Sequence, residues 1–220
     1  GAEGAVKRGL ALAIGLAAGL LVFAPARLLL PSPPLAAAAV DGSPWQTTLS
    51  GARLGQVALG DMALALEPAA LLQGRLAWQA QGALTGRIWR GFTAGGVTGV
   101  NGRLPGVPGL PVAGISLADA TATLDGAGRC QAASGQVTAD LALPLAGQRQ
   151  LAGAPRCDGE ALLLPLASAD GRVRLEINTR AGGWTARLQV TGAGPAEAAA
   201  LLAAGFRSEG GSLVKEDRGA

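Results

Sequence analysis

Apolar and polar positions alternate along most of this chain, and the alternation is most regular in its second half. Three runs carry an apolar residue at every second position, at residues 162–166, 173–177 and 184–190, and turn-forming residues separate one run from the next. Side chains of a strand point alternately to the two sides of a sheet, so each run places its apolar residues on one face. The pattern predicts a three-stranded antiparallel meander with one apolar face and one charged face.

The charged face of this meander is predicted to carry Arg172, Arg174 and Arg187, with Glu176 as a counter-charge. A charged sheet face is ordinarily a solvated face, and this is the interpretation we adopt. A surface for an anionic partner is the alternative.

Shorter alternating runs precede the meander, at residues 54–59, 62–66, 75–80, 84–89, 115–124 and 136–143. Gly60 and Asp61 stand between the first two runs, and this dipeptide predicts a hairpin turn. Residues 91–114 are rich in Gly and Pro, a composition that excludes a helix there. Strands at this spacing, without intervening helices, predict a mainly β protein built from antiparallel hairpins.

The last part of the chain is predicted to contain one short helix and a tail. Pro195 suits the first position of a helix, Glu197 suits its first turn, and Gly205 ends it. Residues 207–220 are rich in Gly and in charge, which predicts a flexible tail.

An apolar segment stands near the N-terminus. Residues 9–30 carry a single charged side chain, Arg27, and a membrane-spanning helix needs about 20 mostly apolar residues. Lys7 and Arg8 stand directly before it, which favours a cytoplasmic N-terminus. We therefore expect a cytoplasmic segment at residues 1–8, a transmembrane anchor at residues 9–30, and export of the rest. A cleaved signal peptide is the alternative, and it exports the same residues.

The exported part is predicted to consist of a linker, a domain and the tail. Pro and Ala dominate residues 31–44, which predicts a stiff linker that holds the domain away from the membrane. Residues 45–206 form the predicted extracytoplasmic β domain, and Trp45 is its first core residue.

Charge and composition exclude several classes of function. The formal net charge is +3, but without Glu3, Lys7, Arg8 and Arg27 the chain keeps 15 of its 18 basic and 14 of its 15 acidic residues. This balance gives no case for binding nucleic acid. The chain has no His and two Cys, so it can form neither a Ser-His-Asp triad nor a Cys/His zinc site. We therefore predict a protein without catalytic residues, metal or cofactor.

The two cysteines are Cys130 and Cys157. Two cysteines of one exported domain are expected to pair as a structural disulfide, because the compartment is oxidising. A redox-active pair is the alternative, but such pairs ordinarily stand as C-x-x-C.

Several short motifs occur in an order that resembles a known family. Residues 59–78 read LGDMALALEPAALLQGRLAW, and residues 102–105 read GRLP. The single residues that carry the likeness are Gly42, Trp45, Pro68, Trp78, the two cysteines, Gly183 and Trp184. Together they resemble protein N of the bacterial type II (general) secretion pathway over nearly the whole chain. Two departures are that Gln46 replaces the family's glycine after the first Trp, and that Pro44 precedes that Trp.

The resemblance implies an accessory subunit of the inner-membrane assembly of the secretion machine, without chemistry of its own. It also implies a more remote likeness to the lipid-handling AsmA-like proteins, whose curved sheets form a groove or half-barrel lined with apolar side chains. The expected fold class is mainly β: an N-terminal transmembrane helix, an elongated and curved antiparallel sheet, and a short C-terminal helix.

Two functions follow as competing expectations. The first is a non-catalytic, single-pass inner-membrane subunit whose periplasmic domain binds other type II secretion subunits, of the inner-membrane platform or of the periplasm. The alternative is a periplasmic module that binds a lipid or another hydrophobic ligand on the apolar face of its sheet. The first expects protein partners, and membrane contact through the N-terminal helix, whereas the second expects a bound lipid.

Overall fold

The computed structural model describes residues 35–43, 45–54, 57–106, 111–143, 147–180 and 183–219. The predicted cytoplasmic segment at residues 1–8 and the predicted anchor at residues 9–30 lie outside these ranges. Within them, the chain forms sixteen strands of one sheet and two short helices.

The elements of the first half are β1 (Leu35–Ala36), β2 (Ala39–Ser43), β3 (Gln46–Leu54), β4 (Val57–Leu66), α1 (Pro68–Leu71), β5 (Leu76–Gly82), β6 (Leu84–Arg90), β7 (Ala94–Pro105) and β8 (Val112–Asp125). Those of the second half are β9 (Cys130–Leu143), β10 (Gly147–Gly153), β11 (Arg156–Asp158), β12 (Ala161–Ser168), β13 (Val173–Arg180), β14 (Gly183–Thr191), α2 (Pro195–Ala203), β15 (Arg207–Glu209) and β16 (Ser212–Gly219).

The sheet follows the chain almost strand by strand. Strands β3 to β10 are neighbours in sequence order, and β12, β13, β14, β16 and β15 continue the sheet. Two short strands, β1 and β2, pair with the outer side of β3, and β11 pairs with β12. All of these pairs are antiparallel, so the prediction of a mainly antiparallel β protein is confirmed.

The predicted meander is formed by β12, β13 and β14. Leu166, Leu175 and Leu188 lie opposite one another across the three strands, and all three side chains are buried. On the other face Glu176 lies opposite Arg187. The alternation of apolar and charged residues therefore produces the two faces that it predicts, because strand residues two apart share a face.

Buried side chains form two clusters along the sheet. The N-terminal cluster contains Leu49, Ala52, Leu59, Met62, Leu64, Leu66, Trp78 and Ala80. The C-terminal cluster contains Val112, Ile115, Val137, Ala139, Leu141, Leu143, Leu151, Leu166, Val173, Leu175, Ala186, Leu188, Val190, Leu201, Phe206 and Leu213. Leu104 of β7 packs against both clusters and so connects them.

The C-terminal helix forms where the sequence predicts it and covers the C-terminal cluster. Pro195 is its first residue, Glu197 lies in its first turn, and Leu201 is fully buried. Arg172, in the turn after β12, holds the start of this segment, because its guanidinium donates hydrogen bonds to the carbonyl oxygens of Thr191 and Gly192. The apolar residues of the meander are buried in the same cluster as Leu201, so this face is not open to solvent.

The predicted flexible tail at residues 207–220 is wrong over its described part. Residues Arg207–Glu209 and Ser212–Gly219 form β15 and β16, and β16 pairs with β14 along its whole length. Gly210 and Gly211 both have positive φ, which is the geometry of a two-residue hairpin turn. Leu213 and Val214 are buried, and Leu213 packs into the C-terminal cluster, so the burial of two apolar side chains and a full ladder outweigh the charged composition.

The predicted hairpin turn at Gly60 and Asp61 is also wrong, because both residues lie inside β4. Gly60 has a φ of 74°, and the register with β3 shifts between Leu49 and Ala52. Asp61 accepts a hydrogen bond from the backbone N–H of Gly51 across this shift, at 2.9 Å. Gly60 and Asp61 therefore lie at a β-bulge of the β3–β4 pair, a feature that uses the same residue types as a turn.

The predicted linker at residues 31–44 is shorter than expected. Residues 35–36 and 39–43 pair with β3, so the sheet begins before Trp45. Every residue of β2 is exposed, however, so β2 adds backbone hydrogen bonds at the edge of the sheet without adding to the core.

Adjacent leucines of α2 provide a test of this packing. Leu201 is fully buried and Leu202 is 48% exposed, while both have the same helix propensity. We expect Leu201→Ala to lower the free energy of unfolding by about 2–5 kcal/mol, because it opens a cavity in the C-terminal cluster. Leu202→Ala should change it by less than about 1 kcal/mol. Urea denaturation measures both, and equal losses would contradict the packing of α2 described here.

Candidate interaction surfaces

The strands run between two ends of the sheet, which we name after the helices. The α1 end carries the connections at residues 67–75, 91–93 and 126–129. The α2 end carries the connection from β14 to β15, and β1 also pairs there, with Leu35 opposite Leu54. Successive connections of an antiparallel sheet alternate between its ends, so loops that are distant in sequence meet at the same end.

Two large apolar side chains project from the α1 end. Leu72 is 92% exposed and Phe92 is 95% exposed. A Cβ atom added to Gly74 would lie 3.4 Å from the ring of Phe92, so the ring stands beside the loop that carries Leu72. We call this pair of side chains the apex.

Arginines surround the apex. The guanidinium of Arg75 lies over the ring of Trp89, with 5.1 Å between the guanidinium carbon and the ring centroid. Arg87 forms an ion pair with Glu67 at 2.9 Å, so these two charges cancel. Within the described ranges Arg75 and Arg90 have no ion-pair partner, which leaves the surroundings of the apex positively charged.

A disulfide joins β9 to β11 near the same end. Cys130 and Cys157 are bonded, which confirms the predicted pairing. The ladder between β9 and β10 stops at Gly153, and β11 pairs with β12 instead. The bond therefore connects two strands at a place where no ladder holds them together.

A charged depression of about 470 Å³ lies beside this disulfide, lined by Gly128, Arg129, Asp158, Gly159, Glu160, Ala161 and Arg180. Arg129 binds Asp125 at 2.6 Å and Glu160 at 3.4 Å. Hydrogen bonds from the backbone N–H and the guanidinium of Arg129 lower the pKa of Asp125, and the hydrogen bond to Asp125 raises the pKa of Arg129. These charges stabilise the loop and balance one another, so the depression favours no charged ligand.

The charged face of the meander is mostly neutralised. Arg187 binds Glu209 at 2.7 Å and Glu216 at 2.8 Å, and the hydrogen bond to Glu209 raises its pKa. The guanidinium of Arg172 donates its hydrogen bonds to backbone carbonyl oxygens at the α2 end. Of the three arginines predicted for this face, only Arg174 is exposed without an ion-pair partner among the described residues. A solvated face therefore fits the geometry better than a site for an anionic partner.

One row of apolar side chains on the core face remains half-exposed. Ile88, Val97, Ala122 and Ala133 follow one another across β6, β7, β8 and β9, in register with buried Trp78. The first four are only partly covered, whereas Trp78 lies in the N-terminal cluster. We call these four residues the apolar row.

Metal and membrane features can be judged only for the described part of the chain. There, no group of three or more Cys, Asp and Glu side chains is placed to hold a metal ion. Neither helix in the described ranges has the length and apolar character needed to cross a membrane.

Comparison with known proteins identifies the family. A family model described as type II secretion system (T2SS), protein N, matches residues 33–214, which is most of the chain. The chain belongs to this family. The resemblance inferred from motif order is thereby confirmed, and membership makes the chain a component of the type II secretion system. Comparison with curated proteins gives no match, and comparison with solved structures gives none either.

The first four family motif residues lie at the α1 end of the N-terminal half. Gly42, in β2, has a φ of 105°, and a Cβ atom there would overlap the carbonyl oxygen of Gln46. Trp45 packs against the N-terminal cluster, and Trp78 is buried within it. Pro68 is the first residue of α1. Pro44, one of the two departures, lies outside the described residues.

The remaining motif pair starts β14. Gly183 lies opposite Arg180 of β13, and Trp184 packs against the C-terminal cluster. A Cβ atom on Gly219 of β16 would overlap the indole of Trp184, so the ring lies flat against the neighbouring strand. The positions of these family residues are those of core and turn residues.

The apex does not follow from the sequence pattern. An apolar residue in a loop is ordinarily turned towards the core, and neither Leu72 nor Phe92 interrupts an alternating strand. The available signal is the glycine near each of them, Gly74 and Gly91, because tight connections leave little space to fold a large side chain inward.

Removing the disulfide tests its structural role. We expect the double variant Cys130→Ala/Cys157→Ala to lose about 3–4 kcal/mol of unfolding free energy in the chain-entropy account. The two cysteines are 27 residues apart, so their bond restricts a long loop of the unfolded chain. Urea denaturation measures the loss, and a reductant should produce the same loss in the wild type and none in the variant. A loss below about 1 kcal/mol would contradict this role.

Proposed function

We propose that this chain is a non-catalytic inner-membrane subunit of the type II secretion system. Residues 9–30 anchor it, and the β domain lies in the periplasm, where it binds other subunits of the machine. The observation that carries the proposal is the family match over residues 33–214. The apolar segment after Lys7 and Arg8 supports the anchor and its orientation.

The disulfide supports the periplasmic location. Disulfides persist in oxidising compartments such as the bacterial periplasm and are rare in the cytosol. The bond between Cys130 and Cys157 joins strands inside the domain, so the domain itself benefits from such a compartment.

The composition supports a role without catalysis. The chain lacks His. The depression beside the disulfide is lined by two arginines and two carboxylates, so its charges sum to zero, and Arg129 and Glu160 form an ion pair there. A subunit of this kind contributes positioned surfaces and no reacting groups.

The topology indicates which end of the β domain lies nearer the proposed anchor. β1 follows the proposed anchor closely in sequence and joins the sheet at the α2 end. Strands β5 to β9 have 7 to 14 residues, and at about 3.3 Å per residue they separate the two ends by roughly 25–45 Å. The α1 end, with the apex, is then the part of the domain farthest from the anchor along the strands.

Deletion of the gene tests the proposal. We expect secretion of type II cargo to fall to the level of a strain without the pathway, because a component of the machine is missing. The full chain supplied from a plasmid should restore secretion, and an alkaline phosphatase fused after Ala220 should be active, which requires the periplasm. Secretion at the wild-type rate in the deletion strain, or an inactive fusion, would contradict the proposal.

A lipid-binding module is the second candidate, and the apolar row is the observation that favours it. The face of the meander expected to hold a lipid is not free, because Leu175 and Leu188 are buried in the same cluster as Leu201 of α2 and Phe206. The apolar row keeps partial exposure on the core face of the middle strands, and an acyl chain laid along it would bury it further.

A pair of adjacent substitutions on β7 tests this second function. Val97 belongs to the apolar row, and Thr98 is exposed on the opposite face of the same strand. If the row binds lipid, organic extraction of the purified full chain followed by mass spectrometry should yield phospholipid in at least about one tenth molar amount. Val97→Asp should reduce it at least fivefold, and Thr98→Asp should not. Equal recovery from both variants would exclude the row as the site.

A further inference from the structure

We propose that the apex, Leu72 and Phe92, is the docking surface for a partner protein that offers an apolar pocket bordered by carboxylates. This inference rests on the proposed function, because it assigns the subunit contact to one place on the domain. It names the chemistry of the partner surface and the residues of this chain that recognise it.

Exposure is the first argument. Two bulky apolar side chains stand almost completely in solvent at one end of the sheet, at 92% and 95%, and the ring of Phe92 stands next to Gly74 in the loop that carries Leu72. Single exposed apolar residues are common on protein surfaces, whereas large apolar side chains gathered in one exposed region mark interaction sites. Aromatic residues are enriched at the centres of protein interfaces, where they fill pockets of the partner.

Rigidity is the second argument. The backbone N–H of Gly91 donates a hydrogen bond to the carbonyl oxygen of Ala94, at 2.7 Å, and the N–H of Gly126 donates one to the carbonyl oxygen of Thr93, at 2.8 Å. The loop of Phe92 is thus closed on itself and tied to the next connection. A side chain presented on such a loop loses little conformational freedom when it binds.

Charge is the third argument, and it defines the partner. Arg75 and Arg90 flank the apex without an ion-pair partner in the described ranges, whereas the nearby charge of Arg87 is cancelled by Glu67. The stacking of Arg75 on Trp89 fixes its guanidinium and leaves its N–H groups free to donate hydrogen bonds. A complementary surface therefore carries Asp or Glu beside the pockets for Leu72 and Phe92.

A second copy of this chain is disfavoured as the occupant, because two apexes brought together would oppose their arginines. A membrane surface would accept the same mixture of apolar and basic groups. The topology favours a protein over the membrane, since β1 joins the sheet at the opposite end from the apex. These two occupants are separate outcomes of the experiment.

Photo-crosslinking in cells identifies the occupant. The full chain would carry p-benzoylphenylalanine at position 92, or at position 202 as a control, where Leu202 is 48% exposed at the α2 end. We expect the probe at 92 to capture another type II secretion subunit, identified by mass spectrometry, through an apolar segment that contains Asp or Glu. Capture of lipid alone, of a second copy alone, or of the same product from both positions would overturn the proposal.

Substitutions separate this inference from the proposed function. In the full chain, Leu72→Ser/Phe92→Ser should leave the thermal midpoint within about 3 °C of the wild type, since both side chains are exposed, and should lower cargo secretion at least tenfold. Arg90→Glu should lower it at least threefold through charge alone, and Leu202→Ser should not lower it. If Leu72→Ser/Phe92→Ser and Arg90→Glu both secrete at the wild-type rate while the deletion strain does not, the proposed function stands and the docking site is wrong.

Discussion

The structure depends on one constraint: in the described residues, a single antiparallel sheet with two short helices has to bury one of its faces largely with its own side chains. Parallel sheets are covered by the helices of their crossovers, but hairpin connections supply no such cover. Here one helix, α2, covers the meander through Leu201, and Leu104 joins the two clusters where no helix is present. Burial of apolar area is the dominant favourable contribution to folding, so the contact of Leu201 with the C-terminal cluster helps to close the apolar face of the second half.

The sequence predicts those parts of the fold in which a local pattern and the global packing agree. The meander follows from strict alternation, and the short helix follows from Pro195 and Glu197 before a run of Ala and Leu. The disulfide follows from the count of cysteines and the expected compartment. In each case the local preference is satisfied by the same contacts that stabilise the whole, which is the condition under which sequence patterns are reliable.

The predictions fail where a residue type has two structural uses. Gly60 and Asp61 have the composition of a turn, but the bulge in β4 needs the same positive φ and the same short acceptor side chain. The charged segment after Phe206 has the composition of a tail, yet Gly210 and Gly211 turn it back onto β14. Which of these structures forms depends on how the segment pairs with the neighbouring strand, and a single sequence does not show that pairing. The exposure of the apex could not be predicted for the same reason. Leu71 and Leu72 are alike in sequence, but of these two only Leu71 packs against a cluster.

The edges of the sheet explain why binding is directed to its ends. A strand edge with free backbone groups can accept another strand, and natural proteins protect such edges with short strands and charged residues. On one side β1 and β2 are short, and β2 contains Asp41 and Gly42. On the other side, β15 has three residues and pairs with only the first part of β16. The rest of the outer edge of β16 carries the charged sequence KEDR at residues 215–218. Both edges are thus poor acceptors for a strand, and one face is closed over much of its area. A protein built in this way can contribute most to an assembly through the loops at the end of its strands, where a tight turn can present an apolar side chain at a fixed distance from the opposite end.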